Sequence, residues 1–394
     1  MKTKLSSPTL CFLVFVLSIN SFSLSAQIKP SSDSVRFKKT ILTRDFISEG
    51  VAVGDVNKDG RMDVMAGCFW FEAPNWIKHA IAKPKTFSPD TTYSNSFLDF
   101  SMDVNQDGWI DFIRISWPGK EAVWYENPKG KKGYWKEHLI YPHVGNESPT
   151  LADVDHDGRP DLICNDPVEK KVIWLKSPSK GDTIWKKYII SNDPDLATHM
   201  YTHGLGFGDM NMDGRKDVVI TKGWWEAPAD RTKPNWIFHP ADLGADCSQM
   251  YIIDIDGDGD MDVISASAHD YGIWWHEQTK DSKGNIVFIH HEISKAFSES
   301  HAMVMTDING DGFPDLLTGK RYYAHNGRDP GGMEPAVLYW FELVPGYTPR
   351  WIPHQIDNNS GVGLLPVVED MNRDGLPDIV ISNKKGVFVF ERIK

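Results

Sequence analysis

The sequence predicts an all-β chain folded as a single seven-bladed β-propeller with four-stranded blades, closed by its N-terminal strand. Three observations carry this. A nine-residue pattern, D-x-[DN]-x-D-G-x-x-D, occurs seven times, beginning at Asp55, Asp103, Asp153, Asp209, Asp254, Asp307 and Asp370, and its spacing of 45 to 63 residues suits one propeller blade per copy. Short apolar and aromatic runs recur four to a repeat, with no helical period of comparable length. The last repeat ends on its third strand, Phe388-Val389-Phe390-Glu391, whereas a stretch of fourth-strand character, residues 35–42, stands before the first copy. Joining the two completes the last blade and leaves no long open sheet edge.

From the amino terminus, residues 1–27 read as a secretory signal: Lys2 and Lys4 precede an apolar stretch near Leu10 to Leu17, and Ser23-Leu24-Ser25-Ala26 supplies a small-residue ending. The expectation is an exported protein, periplasmic, secreted or extracellular, with residues 28–394 as one propeller domain and no transmembrane span after signal removal. In the fourth repeat the expected strands are Leu205 to Gly208, Asp217 to Thr221, Gly223 to Glu226 and Trp236 to His239, rich in β-branched and aromatic residues. Third strands carry Trp70-Phe71-Glu72, Trp124-Tyr125-Glu126, Trp224-Trp225-Glu226 and Trp340-Phe341-Glu342. Fourth strands read Trp-x-x-His-x-Ile or a variant, so His79, His138, His239, His291 and His354 recur at one repeat position and are expected to be structural.

Composition excludes some functions. The formal net charge is −12, and no basic stripe or aromatic-basic platform is present for nucleic acid. With Cys11 in the expected signal, Cys68, Cys164 and Cys247 remain as an odd, scattered set and no disulfide framework.

The regularly placed aspartates point to bound cations. Calcium takes about six to eight oxygen ligands, which a loop supplies from alternate positions and a backbone carbonyl. Position 1 is always Asp (Asp55, Asp103, Asp153, Asp209, Asp254, Asp307, Asp370); position 3 is Asn57, Asn105, Asp155, Asn211, Asp256, Asn309 and Asn372. Position 5 is Asp59, Asp107, Asp157, Asp213, Asp258, Asp311 and Asp374; position 9 is Asp63, Asp111, Asp161, Asp217, Asp262, Asp315 and Asp378. Position 6 is Gly throughout, where the chain must turn sharply. Up to seven structural calcium ions are expected. The absence of Glu at position 12, and strands in place of flanking helices, separate these loops from EF-hands.

With Gly54-Asp55 and Gly208-Asp209 opening loops, and Gly-x-Pro-Asp closing them at Gly158 to Asp161, Gly312 to Asp315 and Gly375 to Asp378, the chain resembles the FG-GAP/VCBS repeat proteins, which include the calcium-loop propellers of integrin α-subunits. That resemblance implies the propeller and its calcium, and leaves function open among adhesion modules, lectin-like binders and polysaccharide-degrading enzymes. In part the chain is also similar to the propeller portion of fungal aldos-2-ulose dehydratase, without that enzyme's cupin domains.

Strand order puts the calcium loops on one face, so residues that break the repeat on the opposite face are the candidates for ligand chemistry. Six residues before each loop stand Glu49, Phe97, Glu147, His203, Ser248, His301 and Leu364, expected to ring the mouth of the central channel. Connections between second and third strands add Lys222, His269, Lys320, Arg321, Tyr322, His325 and Lys384. Such a face suits an anionic or polyhydroxylated ligand, carbohydrate above all.

Two classes of function fit. One is a sugar lyase or dehydratase in which His203 or His301 is the base, Tyr322 or the other His the acid, and Arg321 or Lys320 offsets the enolate-like charge. A catalytic transition metal held by His203, His269 and His301 is an alternative Lewis acid there, although no local ligand spacing announces it. Lys222, Glu147, Gln249, His325 and Lys384 are the candidate substrate contacts. The second class is a non-catalytic glycan- or protein-binding propeller, since no nucleophile elbow or phosphate loop appears.

Overall fold

A computed structural model of the chain describes Val35–Lys394. The expected secretory signal lies outside the described residues. No helix among them is long and apolar enough to cross a membrane.

The regular structure among the described residues is β-strand, apart from one short 3-10 turn at Ala324–Gly327. Consecutive antiparallel meanders of four strands follow the aspartate loops. In the fourth repeat the meander is Leu205–Gly208, Asp217–Ile220, Gly223–Glu226 and Ile237–Pro240, within a residue or two of expectation. The long strand Lys136–Ala152 serves two units, as last strand of the second and first strand of the third. Arg36–Thr43 pairs antiparallel with Gly386–Ile393, in register from Arg36 opposite Ile393 to Ile41 opposite Phe388. The first strand of each unit touches that of the next, and Val367–Glu369 of the last unit touches Ala52–Gly54 of the first, where Gly50 and Leu365 also form a parallel bridge.

The core lies between neighbouring units, because each sheet buries both faces against the next. One cluster joins Val154, Ile163 and Trp174 of the third unit to Val218, Ile220 and Trp225 of the fourth. Another joins Ile308, Leu317 and Trp340 to Ile379, Ile381 and Phe388.

Five repeats build the same Trp–His–Glu device. The His ring stacks on the third-strand Trp, with centroids 4.2–4.3 Å apart for Trp70–His79, Trp124–His138, Trp224–His239, Trp275–His291 and Trp340–His354. Its Nε2 meets the following Glu at 2.6–2.9 Å. These histidines are held on both counts and have a packing role.

The aspartate loops are equally regular. The position-6 glycines have φ of 81–97°, a left-handed turn that a side chain would strain. Each donates its N–H to Oδ2 of the position-1 Asp, as Gly60 does to Asp55 at 2.9 Å and Gly214 to Asp209 at 2.8 Å. The position-9 Asp ties the loop to the third strand: Asp217 accepts from the backbone of Met210 at 3.0 Å and of Ala227 at 2.8 Å. The same bridge recurs at Asp63, Asp111, Asp161, Asp262, Asp315 and Asp378.

Candidate functional site

Where first strands begin, the irregular residues of separate units meet. The Nε2 of His203 lies 3.1 Å from that of His269 and 3.2 Å from that of His301. Glu147 Oε2 stands 3.5 Å from His203 Nε2, 3.4 Å from His301 Nε2 and 3.7 Å from an Arg321 nitrogen. Arg321 is buried and also binds Glu49, at 2.9 Å. Thus Glu49, Glu147, His203 and His301 from the first-strand starts, and His269 and Arg321 from second-to-third connections, form one cluster.

Hydrogen bonding fixes which imidazole nitrogens face inward. His203 Nδ1 lies 2.8 Å from the Tyr201 carbonyl, which only accepts, so Nδ1 carries the proton and the neutral ring turns a bare Nε2 lone pair inward. His269 Nδ1 lies 3.2 Å from Asp329 Oδ2, with the same consequence. Two such lone pairs 3.1 Å apart repel, and Glu147 adds a carboxylate. A cation, either a proton or a metal ion, has to sit among them.

Electrostatics agree. Burial, reinforced by the Arg321 charge and the two other imidazoles, holds His301 well below the usual histidine range. His269 is lowered by burial and by His203 and His325. Burial works against the Glu147 carboxylate, yet contact with His203 and the Arg321 charge hold it below the usual range. Burial likewise opposes the Arg321 charge, and Glu49 and Glu147 outweigh it.

Above the cluster is a cavity of about 460 Å³ lined by Tyr93, Phe97, Trp117, Glu147, His199, Tyr201, His203, Asp246, His269, Arg321 and His325. Aromatic rings make one wall: Trp117 meets Tyr93 edge-on at 4.9 Å and Phe97 at 5.1 Å, and its Nε1 donates to the Tyr201 hydroxyl at 3.2 Å. His325 stacks on His269 at 4.7 Å, and its Nδ1 shares Asp329 Oδ2 with His269, at 2.8 Å.

Other sequence-derived candidates lie elsewhere. Lys320 is wholly buried in an ion pair with Glu299 and a 3.0 Å bond to Ser298 Oγ; it supports the turn that carries His301 instead of facing a ligand. Tyr322 packs on Tyr323 beneath the Lys385 ammonium and does not line the cavity. Gln249 spans two units, donating to the Leu364 carbonyl at 3.0 Å and accepting from Met303 N at 3.1 Å. Lys384 donates to the Tyr323 carbonyl and covers the Tyr93 ring from behind, 4.1 Å from its centroid. Lys222 lines an adjoining cavity. Conversely Tyr93, Trp117, His199, Tyr201, Asp246 and Asp329 were not among the sequence candidates, because they stand in long irregular connections that carry no repeat signal.

The aspartate loops fit a cation. Asp55 Oδ1 and Asp155 Oδ1 are buried without a hydrogen-bond partner among the described residues. Ligand oxygens of Asp153, Asp155 and Asp161, and of Asp254, Asp256 and Asp262, gather within 4.8 Å of one another. Burial, with the neighbouring loop carboxylates, pushes Asp63, Asp111, Asp161, Asp217 and Asp315 up to about 7, and Asp262 and Asp378 to about 6. The loops are not identical, however. Lys129 reaches Asp107 at 2.8 Å, Lys176 reaches Asp155 and Asp157, and Arg215 reaches Asp213, placing fixed cations on the second, third and fourth loops.

Comparison with known proteins finds the FG-GAP-like repeat at residues 103–164 and 254–318. Human integrin alpha-7 is 31% identical over 82 residues, 21% of this chain and 7% of the integrin; mouse integrin alpha-7 is 29% identical over 86 residues, again 21% and 7%. The match therefore spans a small part of those relatives' length. Solved structures that match this chain include an Agrocybe aegerita lectin that recognises non-reducing terminal N-acetylglucosamine, at 14% identity and TM-score 0.47, covering 92% of this chain and 86% of the lectin. Rhamnogalacturonan lyase YesW matches at 12% identity and TM-score 0.46 over 90% of this chain and 72% of its own. The biofilm matrix protein Bap1 of V. cholerae matches at 11% and 0.45 over 92% of each.

Proposed function

Starting from a β-propeller chain that carries FG-GAP-like repeats, we propose an exported, calcium-binding propeller of seven blades, closed by Arg36–Thr43, that acts as a carbon–oxygen lyase or dehydratase on carbohydrate. The observation that supports this above all is the convergence of three imidazoles, Glu147 and Arg321 beneath an aromatic-walled cavity.

The aromatic wall suits the apolar face of a sugar ring, while the floor suits an oxygen that gains negative charge. His203, His269 and His301 are the groups that would hold a transition metal, with Nε2 atoms 3.1 and 3.2 Å apart in the two close pairs, near the roughly 3.3 Å between neighbouring ligands on a tetrahedral ion with about 2.0–2.1 Å bonds, whose fourth position is left to a substrate oxygen. Such an ion, when bound, supplies Lewis acidity to a carbonyl or carboxylate oxygen of the sugar.

The proton transfers fall to cavity-wall residues outside that group. His325, its Nδ1 held by Asp329, presents Nε2 as the base that removes the proton from the carbon next to the carbonyl or carboxylate. The electron pair of the broken carbon–hydrogen bond forms the new carbon–carbon double bond as the neighbouring carbon–oxygen bond breaks and its pair leaves with the oxygen. Tyr201 accepts from Trp117, which leaves its own O–H to protonate the departing oxygen; the proton on His325 then restores the phenol, so the protein ends unchanged. This division moves the base from His203 and His301, which are buried against each other, and the acid from Tyr322, which is off the cavity.

Incubation of the metal-replete protein with keto-sugars and uronate polysaccharides, followed by ultraviolet absorbance of the new conjugated double bond, tests the reading. Turnover that is lost in His325→Ala and Tyr201→Phe supports it; silence across the panel contradicts the lyase and favours a binding module. That second reading draws on the same aromatic wall, which needs no chemistry to hold a glycan.

A further inference from the structure

The cavity above the histidines does not end there. A second cavity, of about 590 Å³, shares His199, Tyr201, His203 and Asp246 with the first, of about 460 Å³. Each alone has the size of a small-ligand site, which runs from about 300 to 1,000 Å³. They lie side by side along this common wall, two arms that both reach His203.

The arms differ in chemistry. Tyr93 and Trp117 give the first two rings for stacking, with Phe97 buried behind them. The second sets Lys170, Asp195 and Lys222 among apolar residues such as Leu196 and Met200, and these charged groups are the donors and acceptors that hydroxyl groups require.

The wall between the arms is built to stay in place. Asn165 Nδ2 donates to the carbonyls of Ala197 and His199 at 2.8 and 3.0 Å, and the backbone N–H groups of Asn146 and Glu147 donate to Met200 and Thr202 at 2.9 and 2.8 Å. Trp117 fixes the Tyr201 hydroxyl from the other side. Tyr201 therefore stands as a ridge with one arm on each side, on the same short segment as His203.

We infer that the site takes an oligosaccharide of at least two rings, one stacked in the aromatic arm and the next held through its hydroxyls in the Lys222 arm, with the linkage between them crossing at Tyr201 and His203. This rests on the carbohydrate reading given above and adds its chain length and direction. The reacting linkage lies between two occupied subsites, so both flanking rings contribute binding energy that a single sugar lacks.

Isothermal titration calorimetry with oligogalacturonates of one to four rings, and with a neutral oligosaccharide series of the same lengths, reads this directly. Affinity is expected to rise about tenfold or more between one ring and two or three, and then level off. In the double variant Lys222→Ala/Asp195→Ala the ratio of three-ring to one-ring affinity should fall toward one. Binding that does not depend on length overturns the two-arm inference and leaves the carbohydrate reading standing. No binding by either series at any length overturns both.

Discussion

The Nε2 atoms of His203 and His269 stand 3.1 Å apart, although each ring gives its Nδ1 proton to another partner. Three carboxylates touch this pair or its supports, Glu49, Glu147 and Asp329, against the single Arg321 guanidinium. The excess is the charge of one dication. Protein prepared in the presence of zinc should retain about one equivalent beyond the loop-bound calcium by elemental analysis, and His203→Ala and His301→Ala should each lose it with calcium unchanged.

Asp329 should control the orientation of His269. Its Oδ2 accepts from both His269 and His325, so Asp329→Asn weakens the bond that keeps His269 Nε2 bare. Metal affinity measured by chelator competition should fall about 10- to 100-fold. Nitrogen NMR of the metal-free protein should show His269 shifting from one tautomer to a mixture, a change that simple loss of packing does not produce.

Calcium removal should destabilise the fold. Without the ion, the position-9 carboxylates have folded pKa values of about 6 to 7 against an ordinary 3.8, so between pH 4 and 7 the folded chain holds protons that the unfolded chain has released. Stability of the chelated protein should therefore decline as pH rises through that window, and calcium should abolish the decline. Lys176→Met, which removes the ammonium from Asp155 and Asp157, should raise calcium affinity at the third loop.

His276 gives the opposite pH dependence. It is buried, bonded to Ser265 Oγ at 2.7 Å and to His290 at 2.6 Å, and burial, with His290 adding to it, holds it at about 3. The unfolded chain takes up this proton near pH 6.5, so stability is present above that value and lost as pH falls toward 3, by up to about 1.4 kcal/mol per pH unit. Urea denaturation in saturating calcium between pH 7 and 4.5 should show a shallower loss for His276→Gln than for the wild type.

The repeat makes part of this legible from the sequence. A pattern of fixed length sets the strand order, which places Glu49, Glu147, His203 and His301 at equivalent strand starts; the last three meet, and Glu49 joins them through Arg321. The packing role of the Trp–His–Glu histidines follows from the same regularity. Connections escape it. In the run from Lys320 to His325 neighbouring side chains diverge, so that Arg321 enters the cluster, Lys320 pairs with Glu299 in the interior and Tyr322 turns away. Asp329 and Tyr201 belong to long connections whose course depends on tertiary bonds such as those from Asn165, and sequence spacing does not record such bonds.

Whether a metal ion sits among the three imidazoles is read by anomalous X-ray diffraction from crystals of zinc-loaded protein, collected on both sides of the zinc absorption edge. One strong peak is expected about 2.0–2.1 Å from the Nε2 atoms of His203, His269 and His301. A map with no peak among these three imidazoles, from crystals in which the loops are filled with calcium, would contradict it.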